Sequence, residues 1–177
     1  MRIVAGIAIA MLFAVPCAAA DSDAMAKAAG GFYAAYKTFH PSDGIPDPSG
    51  RARYAPFAST GLNKLLSDAA TTEENFARSN KNTPPLIEGD LFTSNSEGAT
   101  SLKIGTCTGE AATGHCAIEL HYTDGKDQVL NWIDTAYLVN EGGSWRVDDI
   151  GYGGTWDYGN KGRMRDTLKM VIRDAGN

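Results

Sequence analysis

Two aspartates stand where carboxylates are unusual. Asp134 lies within Val129 to Asn140 and Asp149 within Ser144 to Tyr152, two β-rich runs flanking a Glu-Gly-Gly-Ser turn. Side chains alternate faces along a strand, so Leu130, Trp132, Asp134, Ala136 and Leu138 share one row. By the same count Trp145, Val147 and Asp149 share another. A carboxylate in an apolar row must be paired, hydrogen-bonded or protonated, because burying a bare charge is very unfavourable. The catalytic reading makes Asp134 or Asp149 a general base, with Tyr152 or Tyr137 as proton donor. The structural reading has each carboxylate bonded to backbone or to an arginine, or turned outward at a bulge.

Other polar groups extend this set. Asp90 and Glu97, in Glu88-Gly-Asp-Leu-Phe-Thr-Ser94 and Glu97-Gly98, could line a site or serve as turn residues, a common use of Asp beside Ser and Gly. Gly151 to Gly159 places Tyr152, Trp156 and Tyr158 among glycines. Such a segment suits a ring-binding lip, which would join Trp132 and Trp156 as ligand contacts, or a cover over the end of a sheet.

The elements that would position these groups are legible in outline. Asp21 to Phe39 reads as a helix, with Met25, Ala29, Phe32, Tyr36 and Phe39 on one stripe and Gly30-Gly31 suggesting close packing. Pro41 to Arg53 reads as a loop and Tyr54 to Ala70 as a second helix. Thr71 and Glu74 fit a capping box, predicting a short third helix to about Arg78. Four strands follow, at Ala99 to Cys107, Cys116 to Tyr122, Gln128 to Asn140 and Ser144 to Tyr152; an amphipathic helix, Lys161 to Ala175, closes the chain. The expected class is α+β: a curved four-stranded antiparallel sheet packed on N-terminal helices, with a C-terminal helix.

Composition bounds the function classes. Arg2, the apolar run Ile3 to Val15 and the small residues Ala18-Ala19-Ala20 form a secretory signal pattern with cleavage after Ala20. The run is shorter than the ~20 residues a membrane span needs. Cys17 suggests lipidation instead, but Pro16 is a poor neighbour for it. The expected division is a signal peptide at 1–20 and one domain at 21–177, delivered to the periplasm or secreted. Without residues 1–20 the 16 basic residues become 15 against 21 acidic, a net charge of −6. That balance argues against nucleic acid and anionic membrane partners. Cys107 and Cys116 then pair as a disulfide across a turn-like segment, as an oxidising compartment favours. A zinc site using these cysteines with His115 and His121 lacks the usual ligand spacing.

The order of elements and the ending Trp145-Arg-Val-Asp-Asp-Ile-Gly-Tyr152 resemble the nuclear-transport-factor-2-like superfamily, also called SnoaL or ketosteroid-isomerase-like. Leu86-Ile-Glu-Gly-Asp-Leu-Phe-Thr-Ser94, Glu97-Gly98 and Trp132-x-Asp134 are similar to an uncharacterised family of small exported bacterial proteins within it. The resemblance implies a conical sheet around the first helix, a cavity at its open end and, in relatives that are enzymes, acid–base work by cavity carboxylates and tyrosines. Dimerisation through the sheet's outer face is a further implication. The sequence has no nucleophile–base motif, phosphate loop or metal cluster, and implies no cofactor. The leading expectation is therefore a non-enzymatic binding protein for a small molecule or a periplasmic or secreted protein. A cavity isomerase, dehydratase or hydrolase is the alternative.

Overall fold

The computed structural model describes residues 21–38 and 43–174. The signal pattern, Cys17 and the cleavage point at Ala20 lie outside the described residues. The elements run α1 Ser22–Thr38, β1 Asp43–Gly44, α2 Pro48–Tyr54, α3 Thr60–Ser79, β2 Gly89–Asp90, β3 Ser101–Gly109, β4 Thr113–Thr123, β5 Val129–Glu141, β6 Ser144–Gly151 and α4 Met164–Asp174. β3 to β6 form an open, curved antiparallel sheet in sequence order, and β1 pairs with β2 in a short parallel ladder. The fold is α+β, as the patterning predicts.

The turn between β5 and β6 is two residues long. Gly142 and Gly143 both take positive φ, 60° and 84°, the backbone that a tight hairpin between right-twisted strands requires. α1 crosses the inner face of the sheet, burying Met25, Ala29, Phe32, Tyr33 and Tyr36 against Ile118, Ala136, Leu138 and Val147. Gly31 permits one tight contact, since a Cβ there would run into the Phe57 ring; Gly30 has open space around it. Tyr54 stacks on Phe92 at 4.6 Å, with Phe32 at 5.0 and 5.7 Å from them, so aromatic rings fill the space between α1, α2 and the sheet.

Three local expectations are corrected. Residues 48–54 are helical: Pro48 opens α2, and Asp47 caps it by accepting from Gly50 N at 2.7 Å. The helix expected over 54–70 is interrupted. Ser59 N donates to Val147 O and Val147 N to Phe57 O, both at 2.8 Å, so residues 57–59 pair with β6 before Ser59 caps α3. No new helix starts at Thr71. The Thr71 and Thr72 hydroxyls bond back to Ser67 O and Asp68 O at 3.0 Å, and α3 runs through.

Cys107 and Cys116 are directly opposed on β3 and β4, with Cα atoms 4.0 Å apart, and form a disulfide. Closing a loop of this size stabilises a fold by about 2–3 kcal/mol through the unfolded chain. Reduction, or the pair Cys107→Ala and Cys116→Ala, is expected to lower the unfolding free energy by about that amount while preserving the far-ultraviolet circular dichroism spectrum. Chemical denaturation with and without reductant measures it.

Candidate functional site

The buried polar groups converge on one loop. Residues 91–95, Leu-Phe-Thr-Ser-Asn, are all buried although they form neither helix nor strand. A buried loop must find partners for its backbone, and the segment after β6 supplies several of them. Asn160 Nδ2 donates to the carbonyls of Asp90 and Thr93 at 2.5 and 2.7 Å. Asn160 N donates to Ser94 O at 2.8 Å, and Tyr152 OH to Leu91 O at 2.6 Å.

Asp134 is the anchor. Its side chain leaves β5 on the buried row with Trp132, Ala136 and Leu138, where it is fully buried. Oδ2 accepts from Ser94 N at 2.8 Å and Trp132 Nε1 at 3.0 Å; Oδ1 accepts from Gly153 N at 2.8 Å and from the Ser94 hydroxyl. Gly153 is obligatory there, because a Cβ would strike the Ile133 carbonyl. Four donors occupy the four lone-pair positions of the carboxylate, leaving none for a substrate proton.

Asp90 sits on the other side of the loop. Oδ1 accepts from Phe92 N at 2.7 Å, a local turn bond; Oδ2 accepts from Tyr36 OH at 2.8 Å and Thr93 Oγ1 at 2.7 Å. Burial pushes its pKa up to about 7 against these bonds, and the charge of Asp134 adds to the rise. Burial first, then Asp90, raises the pKa of Tyr36 and Tyr54. Among the described residues no Lys, Arg or His forms an ion pair with Asp90 or Asp134. Thr93 Oγ1 also lies 3.0 Å from Asn95 O. Its single proton cannot serve both acceptors, so protonating Asp90 frees it for Asn95.

Asp149 belongs elsewhere. A bulge in β6 opposite Tyr137 and Leu138 pairs Val147 with Leu138 but Asp149 with Tyr137. The count that placed Asp149 beside Trp145 and Val147 therefore fails, and the side chain joins the opposite face. There Oδ1 accepts from Ile150 N at 2.8 Å and Arg165 N at 3.0 Å, and Oδ2 meets Arg163 Nε at 3.3 Å. Arg163 lies over the Tyr137 ring at 3.4 Å. Burial raises the pKa of Asp149, opposed by those N–H groups and by Arg163. Glu97 is exposed and accepts from Tyr122 OH. Trp132 and Trp156 meet edge to face at 5.4 Å, and Lys161 Nζ donates to Gly154 O at 2.9 Å and to Trp156 O.

The structure thus gathers Asp90, Asp134, Trp132, Tyr152 and Trp156 around one loop, and leaves Asp149 and Glu97 outside it. Ser94, Gly153 and Asn160 complete the network. Their partners lie far away in sequence, so no local pattern announces them. Both cysteine sulfurs are bound to each other, and among the described residues no group of three or more His, Cys, Asp or Glu could hold a metal ion. No described helix is long and apolar enough to cross a membrane.

Open space lies on the outer face of the sheet, away from α1. A cleft of about 600 Å³ there is lined by Lys103, Glu119, His121, Asn131 and Ile133. Lys103 pairs with Glu119 at 3.4 Å, and His121 Nδ1 is 2.9 Å from Asn131 Oδ1. Val129 and Ile133 are more than half exposed on this face. Comparison with protein-family models, curated proteins and solved structures finds no match.

Two outcomes follow for the network. Asp134→Ala removes the acceptor for four buried donors and is expected to lower stability by about 3–5 kcal/mol, measured by denaturant titration. For Asp90 the folded pKa lies above the unfolded one, so the folded state holds the extra proton between about pH 4 and 7. Its contribution is present below that window and is lost as pH rises through it, by on the order of 4 kcal/mol. Asp90→Asn keeps an amide donor toward Thr93. The stability difference between wild type and this variant is expected to change in the variant's favour from pH 4 to 8, read from midpoints across that range.

Proposed function

We propose that this chain is an exported, non-catalytic binding protein of the nuclear-transport-factor-2-like superfamily that engages its partner on the outer face of the sheet. The observation that carries the reading is the occupation of Asp134, whose four lone-pair positions face internal donors. A general base needs a free lone pair within reach of the substrate proton. Asp149, the alternative base, lies on the opposite face of the sheet and accepts from Ile150 N and Arg165 N beside Arg163.

Two further features support the same reading. The volume that a ligand cavity would occupy beneath the sheet holds Phe32, Tyr33, Tyr54 and Phe92, all fully buried. The outer cleft instead offers apolar Ile133 beside a charged pair and an imidazole, the mixture of apolar anchor and polar rim that recognition surfaces use. Export rests on the N-terminal pattern and agrees with a disulfide as the sheet's staple. The helices-then-meander order supports the superfamily placement.

The test compares wild type with Ile133→Asp/His121→Ala and with Asp134→Asn. Each is incubated with periplasmic extract, and bound material is identified by mass spectrometry alongside the mass of the free protein in solution. One partner, a second copy included, retained by wild type and lost by the outer-face variant is the expected result. Retention by that variant overturns the outer face as the site. Turnover of an extract metabolite that ends in Asp134→Asn overturns the non-catalytic reading.

A further inference from the structure

A second, smaller pocket has a different chemistry. It holds about 270 Å³ between α1, the segment after α2 and the β5–β6 hairpin. Phe57, Trp145, Pro56 and Ala28 give it apolar walls; Lys27 and Arg146 also line it, and no carboxylate does. The outer cleft sets Lys103 against Glu119, and a third hollow beside α2 sets Arg51 among Asp47, Glu73 and Glu74. In a chain with 21 acidic against 16 basic residues, this hollow differs from the other two in bearing cations without an acid.

These cations are also uncommitted. Among the described residues neither Lys27 nor Arg146 forms an ion pair. Arg146 spends one N–H on the neighbouring Trp145 carbonyl, at 3.2 Å. Asp23, one turn before Lys27, makes no ion pair with it. Glu141, near the hairpin, turns its carboxylate to Thr60 N and Oγ1 at 3.0–3.1 Å. Among the described residues no carboxylate neutralises either cation.

The walls are held in place before any ligand arrives. Residues 57–59 are pinned to β6 by the two backbone bonds at Val147, and the Phe57 ring occupies the space left by the missing Cβ of Gly31. Trp145 is 6% exposed and fixed in the core row of β6. A preformed apolar slot flanked by two unpaired cations complements a flat apolar body carrying an anionic group. The volume, near the low end for ligand pockets, fits a single ring with a short acidic arm.

We infer that this pocket is a binding site for a small aromatic carboxylate, with Phe57 and Trp145 clasping the ring and Lys27 and Arg146 taking the carboxylate. It is separate from the outer-face surface and stands or falls independently of it.

Fluorine magnetic resonance on the purified protein tests it with three probes: 4-fluorophenylacetate, the uncharged 4-fluorophenylacetamide, and trifluoroacetate, which has charge without a ring. The acid is expected to bind at least roughly tenfold more tightly than either control. Lys27→Gln and Arg146→Gln are each expected to weaken it several-fold, and both together by at least about tenfold, with circular dichroism unchanged. The intrinsic tryptophan fluorescence should respond to the acid with the same midpoint. Equal affinity for acid and amide, an affinity the double variant leaves intact, or no binding of the acid at millimolar concentration would overturn the assignment.

Discussion

The structure depends on one buried carboxylate. Asp134 stands in the apolar row of β5 with no ion pair among the described residues, and its carboxylate is met by four hydrogen-bond donors from three separate segments. Ser94 brings the buried loop, Gly153 the segment after β6, and Trp132 its own strand. The dependence is mutual. The loop's backbone would be orphaned without the carboxylate, and the carboxylate would be an uncompensated buried charge without the loop. Such a centre contributes little beyond an apolar core while intact, yet removing any member is costly. It acts as a register pin: the loop at 91–95 and the strap at 152–161 have one way to close on the sheet.

Asp90 shows the other solution to the same problem. It too is buried and forms no ion pair among the described residues, but its three partners include two hydroxyls, which can donate or accept. That amphoteric surrounding tolerates the protonated acid. Backbone N–H groups make up half of the Asp134 shell and cannot reverse their direction. The two interior carboxyls thus differ in their shells: Asp134 meets three N–H donors and one hydroxyl, Asp90 one N–H and two hydroxyls.

Much of the architecture was legible because it obeys local rules. The strands begin and end within three residues of their predicted limits, since period-two alternation and the Gly-Gly and Asp-Gly turns are local signals. The disulfide follows from spacing and strand pairing. What escaped was decided at long range. The proline-rich stretch before Tyr54 looked like loop, yet Pro48 is well placed in the first turn of a helix behind an Asp cap. Thr71 carried a capping pattern, but the helix was already propagating, and its hydroxyl found a carbonyl one turn back. Parity along β6 fails at a bulge, which needs the partner strand to be visible; hence Asp149 was assigned to the wrong face. Site residues Ser94, Gly153 and Asn160 have their partners 40, 19 and about 70 residues away, beyond the reach of any window.

The way the interior is filled decides where open space remains. A curved sheet wrapped on a helix encloses space, and here that space is taken by aromatic rings and by a polar loop whose groups are mutually satisfied. Opening it for a ligand would expose those rings and break the Asp134 network together. The unspent polar capacity therefore lies at the periphery. Along the outer face, groups pair weakly across strands at exposed positions, where an ion pair such as Lys103–Glu119 is worth at most about 1 kcal/mol and exchanges readily for a partner's charge. At the α1 end Lys27 and Arg146 form no ion pair among the described residues, in a chain of net negative charge. The buried carboxylates serve as fasteners, and the charges that the interior does not need stand at the surface, free to meet other groups.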